Sequence, residues 1–479
     1  MPFIIPANTL ASGGFDVANS ARFNDGSSDY LDHTHNAVTS TRKQTFSVWV
    51  KRGALTSYMY IIATRNGTST DRDGIAFSGS DQIDIRYGAG DSSPIRLTTN
   101  RLFRDVSSWF HIVVAVDTTQ GTAANRIKLY VNGVQETSFA TANYMDQNYD
   151  FALNAKTDQT TDIGNDPRSD GSYFDGYFSE FVAIDNQQLA ADQFGEFDDS
   201  GIWKPIDVSG LTFGNAGFYM NFQTAAELGT DVSGNSNTFA ENNLTAIDQS
   251  TDTCTNNFAT LNPLALRNNP NAYYAVLSQG NLKLVGNSST NNGNAFSTMG
   301  FNSGKWYCEV KMVDADNSLF PIVGVITEAE IVSANSPSNS GQIGTTIAGT
   351  VGYSPDGQKI VAGTESSYGN TFTNNDIIGI AIDCDNGAVY FSKNGTFQAS
   401  GNPTSGSSRT NAAVTFTPST NYFFGASVYK DTNDIDFNFG SPPFAISSGN
   451  QDGNSYGNFE YAVPSGYFSL NTKNLAEYG

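Results

Sequence analysis

The sequence predicts an all-β protein of two tandem antiparallel β-sandwiches joined by an irregular linker. A length of 479 residues exceeds what one ordinary core needs and suits two or three domains. The 46 glycines, 33 phenylalanines and 22 tyrosines form a composition typical of short strands joined by tight turns. In each half an Asn-Gly pair closes a strand-like segment, at 132–133 in the first and at 394–395 in the second. Asn-Gly indicates a hairpin, because both turn positions need a positive φ.

The first predicted domain spans residues 15–205. Strand patterns recur through it, including 46–50, 110–117 and 126–131, and the last of these is followed by Asn132-Gly133. The preceding residues 1–14 form an N-terminal arm that is partly apolar and bounded by prolines. This arm is either a plain first strand or a strand that pairs with a neighbouring subunit.

A linker is predicted at residues 206–263, because 229–261 are poor in apolar residues and dense in turn formers. Strands resume in the second predicted domain, 264–479. Residues 305–312 alternate between apolar and polar side chains with period two, as a half-buried strand does.

The charge and cysteine pattern excludes several classes of partner. Acidic residues outnumber basic ones by 47 to 25, so the net charge of -22 repels nucleic acid and anionic membrane surfaces. No apolar run approaches the roughly 18 residues that a membrane span needs, so membrane insertion is not expected. Cys254, Cys308 and Cys384 are odd in number and widely spaced, which favours neither a disulfide framework nor a zinc cluster.

The first half resembles the laminin G-like, concanavalin A-like jelly-roll family over about residues 15–205. The segments that carry this resemblance are 46–50, 109–114, 127–133 and 174–181. The resemblance implies a glycan-binding jelly roll, and it implies calcium as the cofactor that such folds frequently use.

The second half resembles a SPRY domain. The matching segments are 304–310, 351–353, 356–357, 376–383, 387–395 and 438–440. SPRY domains are protein-recognition modules in which variable loops extend from a rigid sandwich, so this resemblance implies binding to a protein.

The combination of the two halves with an Asn-, Asp- and Ser-rich joint resembles structural proteins of tailed bacteriophages. That resemblance implies a place on the virion surface, in a tail or capsid appendage. The implied partners are other virion proteins and a glycan or protein of the host surface. A homo-oligomer is expected because phage fibres are commonly trimeric, although the sequence has no heptads that would enforce a coiled coil.

Two polar segments are candidates for ligand binding. Asp71 and Asp73 lie in an Asp-Arg-Asp-Gly run, and Asn165 and Asp166 lie in an Asn-Asp-Pro-Arg-Ser-Asp run. Each run can place several oxygens near one ion or sugar. The alternative is that these side chains only cap turns, which is the commoner role of Asp and Asn in such runs.

Three tyrosines near turns are candidates for stacking on a sugar ring. Tyr173, Tyr353 and Tyr368 each lie close to Asp, Asn or Gly. An exposed tyrosine beside a polar side chain is what a sugar platform requires. Tyr173 joins the candidate binding residues of the first domain.

The sequence predicts no catalytic site. Glucan hydrolases of the jelly-roll type need two carboxylates on one strand followed by a third, and the nearest approach is Glu196-Phe197-Asp198 without that third group. The three histidines are His33, His35 and His111. His111 lies in an apolar strand and is expected to be structural, while the other two form at most a weak metal pair without a third ligand.

Three functions remain open at this point. The favoured hypothesis is a tail-fibre or appendage adhesin whose loops contact the host surface. The second is a virion structural or capsid-decoration protein that binds other particle proteins. The third, a glycan depolymerase, is disfavoured by the missing carboxylate pattern.

Overall fold

The computed structural model describes residues 14–65, 72–88, 95–169, 171–266, 268–269, 272–287, 292–315, 320–329, 331, 342–344, 350–418, 420–429 and 433–479. The candidate Asp71 and nearly all of the predicted arm 1–14 lie outside these residues. The chain divides into an N-terminal unit, Ala11–Thr255, and a C-terminal unit, Asn256–Gly479. Both consist of sheets whose strands pair antiparallel, apart from the parallel pair of Lys305–Ala315 and Phe468–Ser469, and this confirms the predicted fold class of tandem β-sandwiches.

The N-terminal unit contains two eight-stranded sheets and a separate two-stranded one. The first sheet has the order β10-β9-β8-β3-β13-β1-β18, with β16 also on β13, and the second has the order β11-β7-β6-β5-β4-β12-β2-β17. The strands are β1 (Ser20–Phe23), β2 (Tyr30–His33), β3 (Lys43–Arg52), β4 (Met59–Arg65), β5 (Arg72–Phe77), β6 (Ile83–Tyr87), β7 (Ile95–Thr99), β8 (Phe110–Asp117), β9 (Ile127–Val131), β10 (Val134–Glu136), β11 (Phe139–Ala142), β12 (Thr161–Ile163), β13 (Gly176–Asp185), β14 (Gly195–Phe197), β15 (Trp203–Pro205), β16 (Phe218–Met220), β17 (Ala240–Asn242) and β18 (Gln249–Ser250).

The core of this unit lies between its two large sheets. Alternation along β3 directs Phe46, Val48 and Val50 into that core, while the residues between them face the other side of the sheet. That other side is also buried, because the segment after β13 packs Phe194 and Phe213 against it. The central strands β3, β8 and β13 of the first sheet are therefore covered on both faces.

The predicted linker contributes strands to the N-terminal unit. β16 pairs with β13, β17 with β2 and β18 with β1. The turn-rich part is ordered by Asp231, whose carboxylate accepts hydrogen bonds from the backbone N–H groups of Tyr219, Ser233 and Asn237 at 2.8–2.9 Å. The division between the units falls after Thr255, inside the predicted linker and close to its end.

The C-terminal unit contains a nine-stranded sheet, a six-stranded sheet and a short separate pair. The first has the order β21-β22-β34-β24-β29-β30-β31, with β32 on β30 and β35 on β24, and the second has the order β23-β33-β25-β26-β27-β28. The strands are β19 (Asn268–Asn269), β20 (Ala272–Tyr273), β21 (Ala275–Ser278), β22 (Lys283–Gly286), β23 (Asn292–Phe296), β24 (Lys305–Ala315), β25 (Ile322–Thr327), β26 (Val351–Tyr353), β27 (Gln358–Val361), β28 (Thr364–Ser367), β29 (Ile377–Asp383), β30 (Ala388–Lys393), β31 (Thr396–Phe397), β32 (Val414–Thr415), β33 (Tyr422–Tyr429), β34 (Asn433–Asn438) and β35 (Phe468–Ser469).

Alternation in β24 also separates two buried clusters. Trp306, Cys308 and Val310 enter the main core between the sheets. Tyr307 faces the opposite side, where Phe459 and Tyr467 of the C-terminal segment cover it. Part of the C-terminal segment, including Phe459 and Tyr467, thus forms a second layer over the nine-stranded sheet.

Helical segments are short. Among the helices whose bounds lie in the described residues are the α-helices Ala123–Arg126 and Thr472–Tyr478 and the 3-10 helices Asp25–Ser27, Ala191–Gln193, Ala246–Asp248, Pro263–Ala265, Gln398–Ser400 and Pro403–Ser408. Among the described residues, no helix has the length and apolar character to cross a membrane.

The Asn-Gly pairs at 132–133 and 394–395 form hairpin turns as predicted. Asn132 and Gly133 have φ of 47° and 77°, and Asn394 and Gly395 have φ of 48° and 78°. The flanking residues pair directly across each hairpin. Two successive positive φ angles match the right-handed twist of the strands that the turn connects.

Candidate functional site

Asp73 lies inside the N-terminal unit. Its side chain is fully buried, and its two oxygens accept the backbone N–H groups of Gly88 (3.1 Å) and Ala152 (2.6 Å). The carboxylate therefore ties two loops to β5. Because neighbours along a strand face opposite ways, Arg72 lies on the other face of the same sheet.

Asn165 and Asp166 lie together in a turn beside that opposite face. Asp166 accepts the backbone N–H of Arg168 (3.1 Å) and forms an ion pair with Arg72, whose Nε is 3.4 Å from Oδ2. Asn165 donates to Asp162 across 3.0 Å. Both predicted residues are buried, so they order the turn and hold an arginine.

Tyr173 is half-buried and lies away from Asp73. Its ring centroid is 6.2 Å from that of Tyr30, in a tilted arrangement. The structure thus brings Asn165 and Asp166 together. Of the Asp-Arg-Asp-Gly run, Arg72 contacts Asp166, whereas Asp73 lies on the other face of the sheet.

Four arginines project from the outer face of the second sheet, opposite the core. Arg65 pairs directly with Arg72 across β4 and β5, and Arg86 pairs directly with Arg96 across β6 and β7. Like charges that lie directly opposite each other destabilise a sheet. We call Arg65, Arg72, Arg86, Arg96 and the adjacent Tyr58, Tyr60 and Asp84 the arginine face.

Asp84 organises the accessible end of the arginine face. Its Oδ2 accepts the hydroxyl of Tyr58 (2.8 Å) and lies 3.7 Å from Nη1 of Arg96, while its Oδ1 accepts Thr98 (2.8 Å). The Arg86 guanidinium lies 5.9 Å from the centre of the Tyr58 ring. The Arg96 side chain is 40% exposed, so its charge remains accessible to a ligand.

The other end of the arginine face is more deeply buried. Nε of Arg72 donates to the hydroxyl of Tyr60, and its guanidinium lies 5.2 Å from the centre of that ring. Burial raises the pKa of Tyr60, so the phenol stays neutral and serves as an acceptor. Arg72 is buried and fixed by these contacts, whereas Arg86 and Arg96 are partly exposed and accessible to a ligand.

Comparison with known families identifies a domain in each unit. Residues 25–193 match the family model described as the concanavalin A-like lectin/glucanases superfamily, Laminin_G_3, and residues 305–441 match the SPRY domain model. The chain contains a laminin G-like domain and a SPRY domain. Both are ligand-binding folds, and the arginine face lies within the laminin G-like match.

Solved structures give weaker similarities. The SPRY domain of human HERC1 is 16% identical, with 37% of this chain and 96% of that chain covered and a TM-score of 0.27. The heptameric SAP-like pentraxin of Limulus polyphemus is 15% identical, with 38% and 82% covered and a TM-score of 0.28. A putative carbohydrate-binding protein of Bacteroides ovatus is 15% identical, with 48% and 59% covered and a TM-score of 0.29. No curated protein matches the sequence.

Ser47 and His111 form a buried serine–histidine contact in the laminin G-like domain. Oγ of Ser47 lies 2.7 Å from Nε2 of His111, and Trp203 donates its indole N–H to Nδ1 across 3.1 Å. Since Nδ1 is the acceptor, the ring proton sits on Nε2 and points at the serine. A general base needs the reverse arrangement, so this buried pair is structural, as predicted for the histidine.

His33 and His35 form a close pair. Their ring centroids are 4.7 Å apart, and Nε2 of His35 lies 2.5 Å from the side-chain oxygen of Asn154. Within the part of the chain that the structure describes, no group of three His, Cys, Asp or Glu side chains is arranged to hold a metal ion.

The Glu196-Phe197-Asp198 motif spans the end of β14 and the start of the turn that follows it, in the N-terminal unit. Asp198 accepts the backbone N–H groups of Ser200 and Ile202, each at 2.9 Å, and lies 3.4 Å from Nζ of Lys204. Its carboxylate therefore closes the β14–β15 hairpin.

Sequence reasoning did not identify the arginine face. A signal was present, because six arginines lie between residues 65 and 104 of a strongly acidic chain. Arg86 and Arg96 also alternate with apolar neighbours in Ile83–Tyr87 and Ile95–Thr99. The alternation predicts that both face away from the core, but only the strand register places them side by side.

Proposed function

We propose that the protein is a non-catalytic adhesin of a tailed-bacteriophage virion, and that its laminin G-like domain binds a glycan of the host surface. The observation that carries this proposal is the arginine face. Two directly opposed arginine pairs are retained in a chain of net charge -22. Asp166 and Asp84 offset part of their mutual repulsion, and an anionic group that binds beside the exposed Arg96 relieves more of it.

The chemistry of the face fits an acidic glycan. Guanidinium groups bind carboxylate or sulfate through two parallel hydrogen bonds, and Arg86 and Arg96 present two such groups on adjacent strands. Tyr58 is half-buried beside them and offers a ring edge and a hydroxyl to a pyranose. Because Asp84 fixes Tyr58 and contacts Arg96, part of the ordering cost of binding is removed in advance.

Glycan binding is tested with the purified full-length chain on two immobilised polymers, polygalacturonate and neutral dextran. We expect selective binding to polygalacturonate, weakened at least tenfold by the double variant Arg86→Ala/Arg96→Ala, because charge-assisted hydrogen bonds contribute roughly 1.5–3 kcal/mol each. Arg42→Ala is the matched control, since Arg42 is 45% exposed and pairs with Asp150 away from the face. Equal binding by the double variant and the wild type would contradict the assignment.

The virion location is supported by the resemblance of the two-domain combination to phage structural proteins. On this proposal the chain is a homo-oligomer in a tail or capsid appendage, contacts other virion proteins and exposes the arginine face to the host. Pre-incubation of host cells with the purified protein should then reduce phage adsorption. Binding to particles that lack the protein, with adsorption unchanged, would instead favour a decoration protein.

A further inference from the structure

The six-stranded sheet of the SPRY domain ends in an open edge. Strand β28 (Thr364–Ser367) pairs with β27 on one side, and all four of its residues are exposed. In the described part of the chain, no strand pairs with its other side. A strand edge of this kind presents unpaired N–H and C=O groups to a partner.

The hairpin geometry identifies which backbone groups are open. Ala362 and Gly363 have φ of 48° and 74°, and they form the two-residue turn between Val361 and Thr364. The pair that flanks such a turn is hydrogen-bonded, and pairs then alternate along an antiparallel ladder. Glu365 and Ser367 consequently direct their N–H and C=O groups away from β27.

A groove of about 510 Å³ continues from the end of this edge. It lies between β28, the edge of one sheet, and β31, the edge of the other. Its lining combines the ends of two strands with the turns that follow them: Ser367, Tyr368, Gly369, Asn370, Thr396, Phe397, Gln398, Ala399 and Ser400.

The groove is rigidly built. Gln398 is 4% exposed, and it joins the two walls by accepting the backbone N–H of Asn370 (2.8 Å) and donating to the carbonyl of Thr396 (2.7 Å). In the second wall, Ala399 and Ser400 have successive positive φ angles of 52° and 58°. Consecutive left-handed residues other than glycine are strained, and such strain concentrates where a protein binds a ligand.

We propose that β28 and this groove dock an extended segment of a partner protein, which adds to the sheet as a further strand. The segment hydrogen-bonds to Glu365 and Ser367 through its backbone, and its next side chain enters the groove beyond Ser367. Strand addition of this type derives affinity from main-chain hydrogen bonds and specificity from pockets for alternate side chains.

Charge selects a basic segment as the occupant. Glu365 is the one charged residue of β28, and it is exposed beside the open edge. A lysine or arginine opposite Glu365 forms a favourable cross-strand pair. The net charge of -22 disfavours a second copy of this acidic chain and favours a cationic segment. This inference concerns the SPRY domain and does not depend on the glycan proposal.

The test is selection of a random dodecapeptide phage-display library on the immobilised full-length chain. Recovered peptides should alternate β-branched residues with Lys or Arg. Their affinity should fall at least tenfold for Glu365→Pro, which removes an outward N–H from an edge strand and leaves the ladder to β27 intact. Glu365→Lys keeps that N–H and should weaken only the peptides that contain basic residues.

Ser366→Val is the matched control, because its backbone groups face β27 and its substitution leaves the open edge unchanged. Circular dichroism and thermal unfolding of each variant verify that the rest of the chain is folded. Peptides that bind Glu365→Pro as tightly as the wild type would overturn the proposal, and so would repeated selections that recover no peptide.

Discussion

Lys51 and Asp252 form a buried ion pair in which Nζ lies 2.7 Å from Oδ2 and both side chains are 1% exposed. Lys51 belongs to β3, whereas Asp252 follows β18 in the predicted linker. Asp252 also accepts the indole N–H of Trp109 (2.9 Å) through Oδ1, and its carbonyl accepts the hydroxyl of Ser20 (2.6 Å). One aspartate therefore fastens the end of the N-terminal unit to β1, to β3 and to the residue that precedes β8.

Loss of this carboxylate should strongly destabilise the N-terminal unit. Asp252→Ala leaves the Lys51 ammonium buried without its counter-charge, which typically costs about 3–5 kcal/mol. Urea unfolding followed by tryptophan fluorescence measures the loss. The control is Asp150→Ala, because Asp150 is 63% exposed and its surface pair with Arg42 contributes at most about 1 kcal/mol. Equal effects of the two substitutions would contradict the role of the buried pair.

Substitution of Gly133 and Gly201 by alanine allows the cost of backbone strain to be measured separately from the cost of steric overlap. Gly133 and Gly201 both have φ of 77°, but a Cβ on Gly133 would lie 2.4 Å from the Trp203 ring, whereas one on Gly201 would meet nothing within 4 Å. Gly201→Ala should cost about 1–2 kcal/mol, the strain of a left-handed residue. Gly133→Ala should cost about 1–3 kcal/mol more, because the indole must move. Calorimetric unfolding of both variants checks this, and similar losses would contradict it.

The buried His35 should make the N-terminal unit sensitive to acid. Burial lowers the pKa of His35 to about 4 from its ordinary value of 6.5. The unfolded chain therefore takes up the proton first, and stability falls by about 1.4 kcal/mol per pH unit between pH 6.5 and 4. Around this ring lie His33, which also disfavours protonation, and Asn154, Asn237 and Asp185, which favour it.

His35→Gln isolates this contribution. Burial raises the pKa of Asp175 to about 8 and of Glu180 to about 7, and these groups change stability in the opposite direction as the pH falls. The quantity to measure is therefore the free energy of unfolding of the wild type minus that of the variant. It should be constant above pH 7.5 and decrease towards pH 4; a difference independent of pH would refute the prediction.

Glu309 should hold the C-terminal segment against the nine-stranded sheet. It is fully buried, and its two oxygens accept the backbone N–H groups of Glu460 (2.9 Å) and Tyr461 (2.8 Å). Glu309→Ala leaves both donors without this acceptor, at a cost of about 1–3 kcal/mol each. Hydrogen–deuterium exchange at residues 447–461 should accelerate. Glu328→Ala, at an exposed position, is the control and should leave this exchange unchanged.

Strand positions were predictable because their signals are local. The segment 110–117 forms β8 with the predicted bounds, and 305–312 lies within β24. Alternation of side chains with period two and the positive φ of an Asn-Gly turn depend on neighbouring residues alone. A third hairpin turn, at Ala362-Gly363, was not predicted, because alanine carries no preference for a positive φ.

The extent of the N-terminal unit depended on distant contacts. Residues 206–255 are rich in turn formers, and this composition is typical of a linker. A few apolar side chains in the segment, among them Phe218, Phe239 and Leu244, nevertheless enter the core of that unit. Their burial and the ion pair of Asp252 order the segment. Neither contact can be predicted from the average composition of the segment.

The sequence by itself determined the all-β class, the two-domain organisation, two of the hairpins and the acidic charge that disfavours nucleic acid. These follow from composition and from patterns within a few residues. Only the tertiary structure decided that Asp73 faces inward, that Arg72 faces outward, and that Arg86 lies opposite Arg96. Strand register is set by pairing between distant segments, and a shift of one residue exchanges the faces of every side chain.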